Sequence, residues 1–266
     1  MVKPVILIAD NLQITNKTIG KAILHHDPDP IITMVKQCEA AGAQGIDINS
    51  GPLFRNPQKS MAFLVNTIQK NSDLPVIIDT TNPEAIYAGL CANKKKAIIN
   101  GFSLEPFKLE KILPLAKQFN ADIIGYLLHP DGHVPVNAQD RLQIAVEIFK
   151  KCENEGIDKN NLIIDPVLAP LIWENGPSQA MDILSVIKLL PELLGYSVKT
   201  IIGLSNLTAG RGNKEKKLIF EKSYLPMLCS AGLSMVLVNM FHHETIKVAK
   251  VCNMITNKDI VAWEQI

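Results

Sequence analysis

The sequence predicts an α/β fold, a (β/α)8 barrel, and three observations predict it. Eight short apolar runs rich in Ile or Val recur along the chain. Longer stretches separate them, two with a clear amphipathic pattern. The 266 residues are close to the roughly 250 that one closed barrel uses. Apolar runs without polar alternation suit strands buried on both faces of a parallel sheet. Strands alternating with helices give such a sheet, and eight units closing on themselves make a single domain over residues 1–266. An open doubly wound sheet is the rival. It would more often carry a Gly-rich phosphate turn after the first strand, and DNLQITN (10–16) is not one.

In order, the first strand is VILIA (5–9), which stops at Asp10-Asn11. The amphipathic PDPIITMVKQCEAAGA (28–43) follows. GIDIN (45–49) is the second strand, with Asp47 and Asn49 at its end; VIID (76–79) ends in Asp79 and AIIN (97–100) in Asn100. DIIGYLL (122–128) runs to His129. VNAQDRLQIAVEIFKKCENEG (136–156) is then a helix, with apolar residues at helical spacing and a terminal Gly. LIID (162–165) ends in Asp165, TIIGLS (200–205) in Ser205-Asn206, and SMVLVN (234–239) in Asn239.

In a barrel these tips converge on one mouth, where active sites lie. A single Asp, Asn or Ser at a strand end ordinarily caps the next helix or makes a turn. So many of them, several inside the last strand residues, point instead to a polar ligand. A buried carboxylate is costly until something pairs with it. Asp accepts two hydrogen bonds side by side, which matches an N–H and an exocyclic amine on a heterocycle. A pterin suits two Asp and two Asn, and a purine would also fit.

The net charge of +1 gives no pull toward nucleic acid or an anionic membrane. No apolar run approaches the ~20 residues of a membrane span. The N-terminal MVKPVILIADN lacks a signal-peptide pattern, and five scattered cysteines suit reduced thiols, so a cytoplasmic location is expected.

Five stretches together, GIDINSGP (45–52), VIIDTTNPEAI (76–86), IINGFS (98–103), LIIDPVLAP (162–170) and GLSNLTAG (203–210), carry a family resemblance. The sequence resembles the methyltetrahydrofolate:corrinoid-protein methyltransferases, within the wider family of pterin-binding TIM barrels. The resemblance implies that Asp79, Asn100 and Asp165 hydrogen-bond the pterin ring. It implies that Asn206 reaches N5, the methyl-bearing atom, and that Asp47 and Asn49 organise the pocket. Gly203 and Ser205 would line the same wall. A basic residue of RGNKEKK (211–217), Lys217 or Arg211 with Lys217 favoured, would pack on the pterin. Tetrahydrofolate or methyltetrahydrofolate is then the substrate and a corrinoid arrives on a separate protein. No bound metal is expected, and the resemblance implies a homodimer. The chain departs from the family at its first strand tip, where Ala9-Asp10-Asn11-Leu12-Gln13 replaces a GERxN-like stretch.

A methyl on N5 has a poor leaving group, so N5 must gain a proton or a donor by the transition state. A group at N5 whose hydrogen bond strengthens there lowers the barrier, and Asn206 is the expected one. Direction stays open, with a lean toward methylcorrinoid-to-tetrahydrofolate transfer from the altered first tip. Dihydropteroate synthase is the enzymatic alternative, but it would show a basic phosphate-binding segment where Asn206 stands. A non-catalytic pterin-binding module is the other. Asp131-x-His133 is a near miss of a cobalamin motif, and His25-His26-Asp27 and His242-His243-Glu244 lack a metal-ligand spacing.

Overall fold

The computed structural model describes residues 3–53 and 56–257. Eight strands close into a barrel in sequence order, all neighbours parallel, with the eighth returning to the first. They are β1 Ile6–Gln13, β2 Gly45–Asn49, β3 Val76–Asp79, β4 Ile98–Phe102, β5 Asp122–Tyr126, β6 Leu162–Asp165, β7 Lys199–Gly203 and β8 Met235–Val238. Around them run α1 Lys17–His25, α2 Pro28–Ala40, α3 Pro57–Asn71, α4 Pro83–Ala92, α5 Pro106–Lys111, α6 Leu113–Phe119, α7 Ala138–Glu155, α8 Gly176–Leu194, α9 Lys214–Ala231 and α10 His243–Asn257. Among the described residues no helix is long and apolar enough to cross a membrane.

The helix starts follow local chemistry. Asp27 accepts from the Asp29 N–H ahead of α2, and Asn137 accepts from the Asp140 N–H ahead of α7. Gly156, at φ 78°, closes α7 in the left-handed region that suits glycine.

Side chains alternate along a strand, and here the alternation builds two layers. Ile8, Ile77, Ile124, Ile163, Ile201 and Met235 form a buried cluster inside the barrel. The outward set, including Ile46, Ile48, Ile78, Ile99 and Ile164, packs with the helices in the larger core. Gly45 has no side chain at the inner layer because a Cβ there would sit 2.7 Å from Ile8 Cδ1. Two residues further along the strands, the inward position reaches the mouth.

Three strands differ from the sequence expectation in ways that shape the mouth. The first runs to Gln13, not Ala9, because its register against β2 slips between Ala9 and Leu12. Three residues of β1 span what two of β2 span, which is a bulge. The seventh ends at Gly203, and Leu204–Thr208 winds into a 3-10 turn that carries Ser205 and Asn206. The fifth ends at Tyr126, not Leu128.

Candidate active site

Beyond the inner isoleucine layer the strands present Asp10, Asp47, Asp79, Asn100, Tyr126, Asp165, Gly203 and Leu237. With Gln13, Asn49, Ser205 and Asn206 they line a cavity of about 190 Å³ at the barrel mouth. The strand register sets the ring, pairing Asn49 with Asp79, Asp79 with Asn100, and Tyr126 with Asp165.

Four carboxylates face this space, and among the described residues no basic side chain lines it. Burial holds Asp165 and Asp79 up to about 7. Burial, together with the negative charge of Glu221, lifts Asp10 to about 6. Burial and then Asp79 hold Asp47 well above the usual carboxylate range. Such a cavity favours a ligand that brings donors or positive charge.

The amide and carboxylates are held in place. The Tyr126 hydroxyl donates to Asn100 Oδ1, and Asn100 Nδ2 donates to Asp47 Oδ1 at 3.4 Å. Asp165 Oδ1 accepts from the Val167 N–H at 2.8 Å. That bond pins Val167 at φ 60°, a costly conformation for a β-branched residue. One carboxylate oxygen of Asp165 is thus occupied by its own turn.

Arg141 supports this turn from behind. It is fully buried on α7 and donates from Nε to the Pro166 carbonyl at 3.0 Å. Its other donors reach Gln179 Oε1 at 2.9 Å and the Asn137 carbonyl at 3.3 Å. Arg141→Ala strips these acceptors of their donor, at about 1–3 kcal/mol for each left unpaired. Denaturant unfolding is expected to show a loss of at least about 2 kcal/mol; a change within about 0.5 kcal/mol would remove the anchoring role.

Asp47, Asn49, Asp79, Asn100, Asp165, Gly203, Ser205 and Asn206, all named from sequence, come together in the cavity. Lys217 does not join them. It lies in the first turns of α9, its ammonium donates to the Gly210 carbonyl, and it lines a different cavity. That cavity, about 680 Å³, lies between α8, α9 and the 207–213 loop and is bounded mostly by apolar side chains such as Ile172, Met181 and Phe220. Arg211 lines it too. The larger space lacks the convergent acids and amides, so the smaller one at the mouth is the candidate site.

Other polar tips are structural. Asn11 Nδ2 donates to Asn239 Oδ1 at 2.8 Å and Asn11 Oδ1 accepts from the Met240 N–H, tying β1 to the turn after β8. Asp131 accepts from the His133 N–H in an exposed turn. His26 closes α1 at φ 51° and Asp27 caps α2. Among the described residues no three His, Cys, Asp or Glu side chains gather as a metal site.

Sequence reasoning missed Tyr126, Gln13, Leu237 and Arg141. Counting by two from Ile124 would have found Tyr126. Arg141 shares a helical stripe with Ile144, Ala145, Ile148 and Cys152, all buried, and that spacing was its signal.

The pterin binding enzyme family matches residues 12–239, and the chain belongs to that family. It is 23% identical over 172 residues to a methylcorrinoid:tetrahydrofolate methyltransferase of Eubacterium limosum, covering 64% of this chain and 63% of that protein. It is 22% identical over 232 residues to a methionine synthase of Mycobacterium tuberculosis, covering 84% of this chain. The chain spans 19% of that methionine synthase's length. Among solved structures, a dihydropteroate synthase from Stenotrophomonas maltophilia superposes with a TM-score of 0.71 at 17% identity, covering 97% of this chain and 95% of that one. The Yersinia pestis enzyme superposes with 0.69 at 16%, covering 97% and 94%. These last two likenesses are of fold.

Proposed function

We propose that this barrel moves a methyl group between N5 of tetrahydrofolate and the cobalt of a corrinoid carried by a separate protein. One observation carries the proposal. Among the described residues the mouth offers carboxylates, amides and hydroxyls, with Asn206 on the wall and no basic side chain. That lining suits a neutral heterocycle rich in N–H donors better than a phosphate-bearing substrate. A dihydropteroate synthase-like activity is disfavoured on the same ground. The relative whose name includes methylcorrinoid and tetrahydrofolate supports both the methyl carrier and the acceptor. We favour transfer from the methylcorrinoid to tetrahydrofolate, because β1 departs from the family pattern at the mouth.

In this mechanism Asp165 and Asp79 accept from the ring donors of the pterin, while Asn100, set by Tyr126 and Asp47, presents its amide to the ring edge. Asn49, Gly203 and Ser205 complete the wall. Asn206 meets N5 and stabilises it as the methyl group arrives or leaves. The corrinoid is the other substrate and approaches through the open mouth.

The carboxylates give ligand binding a pH dependence of definite sign. Asp79 and Asp165 hold protons up to about 7 in the folded protein, against about 3.9 in an unfolded chain. Between those values the folded state carries more protons, so their contribution to stability falls as pH rises toward about 7. A pterin that donates to ionised carboxylates offsets the charge that burial makes costly. The rise in Tm given by tetrahydrofolate is therefore expected to be larger near pH ~8 than near pH ~6. An equal or smaller rise would exclude recognition by ionised carboxylates.

The activity test is anaerobic methyl transfer from methylcobalamin to tetrahydrofolate, followed by the corrinoid's visible spectrum. Protein-dependent loss of the methylcobalamin bands with formation of methyltetrahydrofolate is the expected result. Tetrahydrofolate binding without transfer, even with the cognate corrinoid protein supplied, would leave only a pterin-holding module. No binding would overturn the pterin assignment.

A further inference from the structure

Asp10 stands in the cavity wall without a task in ring recognition. Two residues after the inward Ile8, it lines the same cavity as Ser205 and Asn206. It is buried, and the nearby Ser205 side chain offsets part of the upward shift that burial causes.

The charged and titratable groups around Asp10 come from several elements. Asp47 faces it from β2, and Asp79 lies beyond on β3. The Cys38 thiol of α2 feels its charge, and burial with that charge pushes the thiol up to about 12. Glu221 of α9 is buried behind it and is the charge that acts on it most. Glu221 accepts from Thr208 Oγ1 at 2.6 Å and lies 3.6 Å from His242 Nδ1, after β8. Burial, with the Lys214 charge of α9, holds His242 below its ordinary value against the pull of Glu221. Burial and the acidic groups that act on Asp10 directly favour its protonated form.

The methyl-transfer reaction needs such a group. The amide of Asn206 can donate a hydrogen bond but cannot deliver a proton. General acids and bases work best with a pKa near the operating pH, and that of Asp10 is raised to about 6. We propose that Asp10 is the acid–base group that exchanges the N5 proton, working beside Asn206. The inference rests on the methyl-transfer function proposed above.

The step balances in both directions. Toward tetrahydrofolate, the N5 electron pair forms the bond to the methyl carbon, and the carbon–cobalt bond breaks with its pair left on cobalt(I). As the new bond forms, the N5 proton passes to the Asp10 carboxylate in the same step. Toward the corrinoid, the Asp10 carboxyl gives its proton to N5. The N5–carbon bond breaks with its pair left on N5, and a cobalt(I) pair forms the new bond. Solvent restores the protonation state of Asp10 after each turnover.

The test compares wild type, Asp10→Asn and Asp10→Glu in single-turnover transfer from methylcobalamin to tetrahydrofolate across the range from about pH 5 to about pH 9. Tetrahydrofolate binding is measured alongside by calorimetry. In this direction Asp10 is the base, so the wild-type rate is expected to rise through an inflection near 6. Asp10→Asn is expected to slow transfer by about 10²-fold or more and to lose the inflection, with binding changed by less than about threefold. Asp10→Glu restores part of the rate and shifts the inflection, which a merely structural role would not do. An Asn variant that keeps both rate and inflection, beside an active wild type, overturns the role of Asp10 and leaves methyl transfer standing. Loss of binding in step with rate makes Asp10 a pterin ligand instead. A wild type that binds tetrahydrofolate and transfers nothing overturns both.

Discussion

Asn206→Ala is expected to slow methyl transfer by about 10²-fold while tetrahydrofolate binding changes by less than about threefold, measured by single turnover and calorimetry. The physical reason is where the residue sits. It projects from the 3-10 turn Leu204–Thr208 directly after β7, in the wall of the mouth. Gly203 makes room for it: a Cβ at 203 would lie 3.1 Å from Asn206 Nδ2. Under the proposed function, an amide here adds little to holding a ring that the carboxylates would grip. What it gains is at N5, whose charge changes most in the transition state. A donor whose bond strengthens only there changes the rate and not the affinity. Losing about 2.7 kcal/mol of such stabilisation is 10²-fold. A variant with unchanged rate would remove Asn206 from the chemistry. A variant with equal losses in rate and affinity would make it a binding residue.

The sequence made the site's polar half visible and hid the rest for physical reasons. The β2, β3 and β6 boundaries coincide with those expected, because each apolar run stops at an acid or amide that also faces the mouth. Where the backbone departs from regular alternation, the pattern misleads. The bulge in β1 brings Gln13 inward three residues after Asp10, and no period-two count predicts that. Tyr126 and Leu237 are cavity residues that look like core, since aromatic and aliphatic types belong equally to both. Lys217 was assigned by its charge and its place in the chain. Its side chain points elsewhere in this structure: Asn213 caps α9, and the Lys217 side chain folds back to the loop carbonyl of Gly210. Arg141 was hidden by the opposite assumption, that a charge on an amphipathic helix faces water.

The second large effect separates function from stability at one residue. Asp165→Asn is expected to weaken tetrahydrofolate binding by at least about 10²-fold, because charge-assisted hydrogen bonds are worth about 1.5–3 kcal/mol and an amide nitrogen would meet ligand donors with a donor. The same variant is expected to raise the Tm of the ligand-free protein near pH ~8. The native turn survives, since an Asn carbonyl oxygen still accepts from the Val167 N–H. What disappears is a fully buried carboxylate whose proton is held up to about 7. Against an unfolded reference near 3.9, about three pKa units correspond to about 4 kcal/mol of cost above neutrality, and even half of that would move Tm by several degrees. The gain shrinks as pH falls below about 7, where wild-type Asp165 is already protonated. Under the proposed function, a carboxylate kept at such a cost is expected where a site trades stability for its ligand. If Asp165→Asn bound tetrahydrofolate normally, Asp165 would not be a pterin residue. If it lowered Tm near pH ~8, the buried charge would be compensated by the protein itself and would need no ligand to explain it.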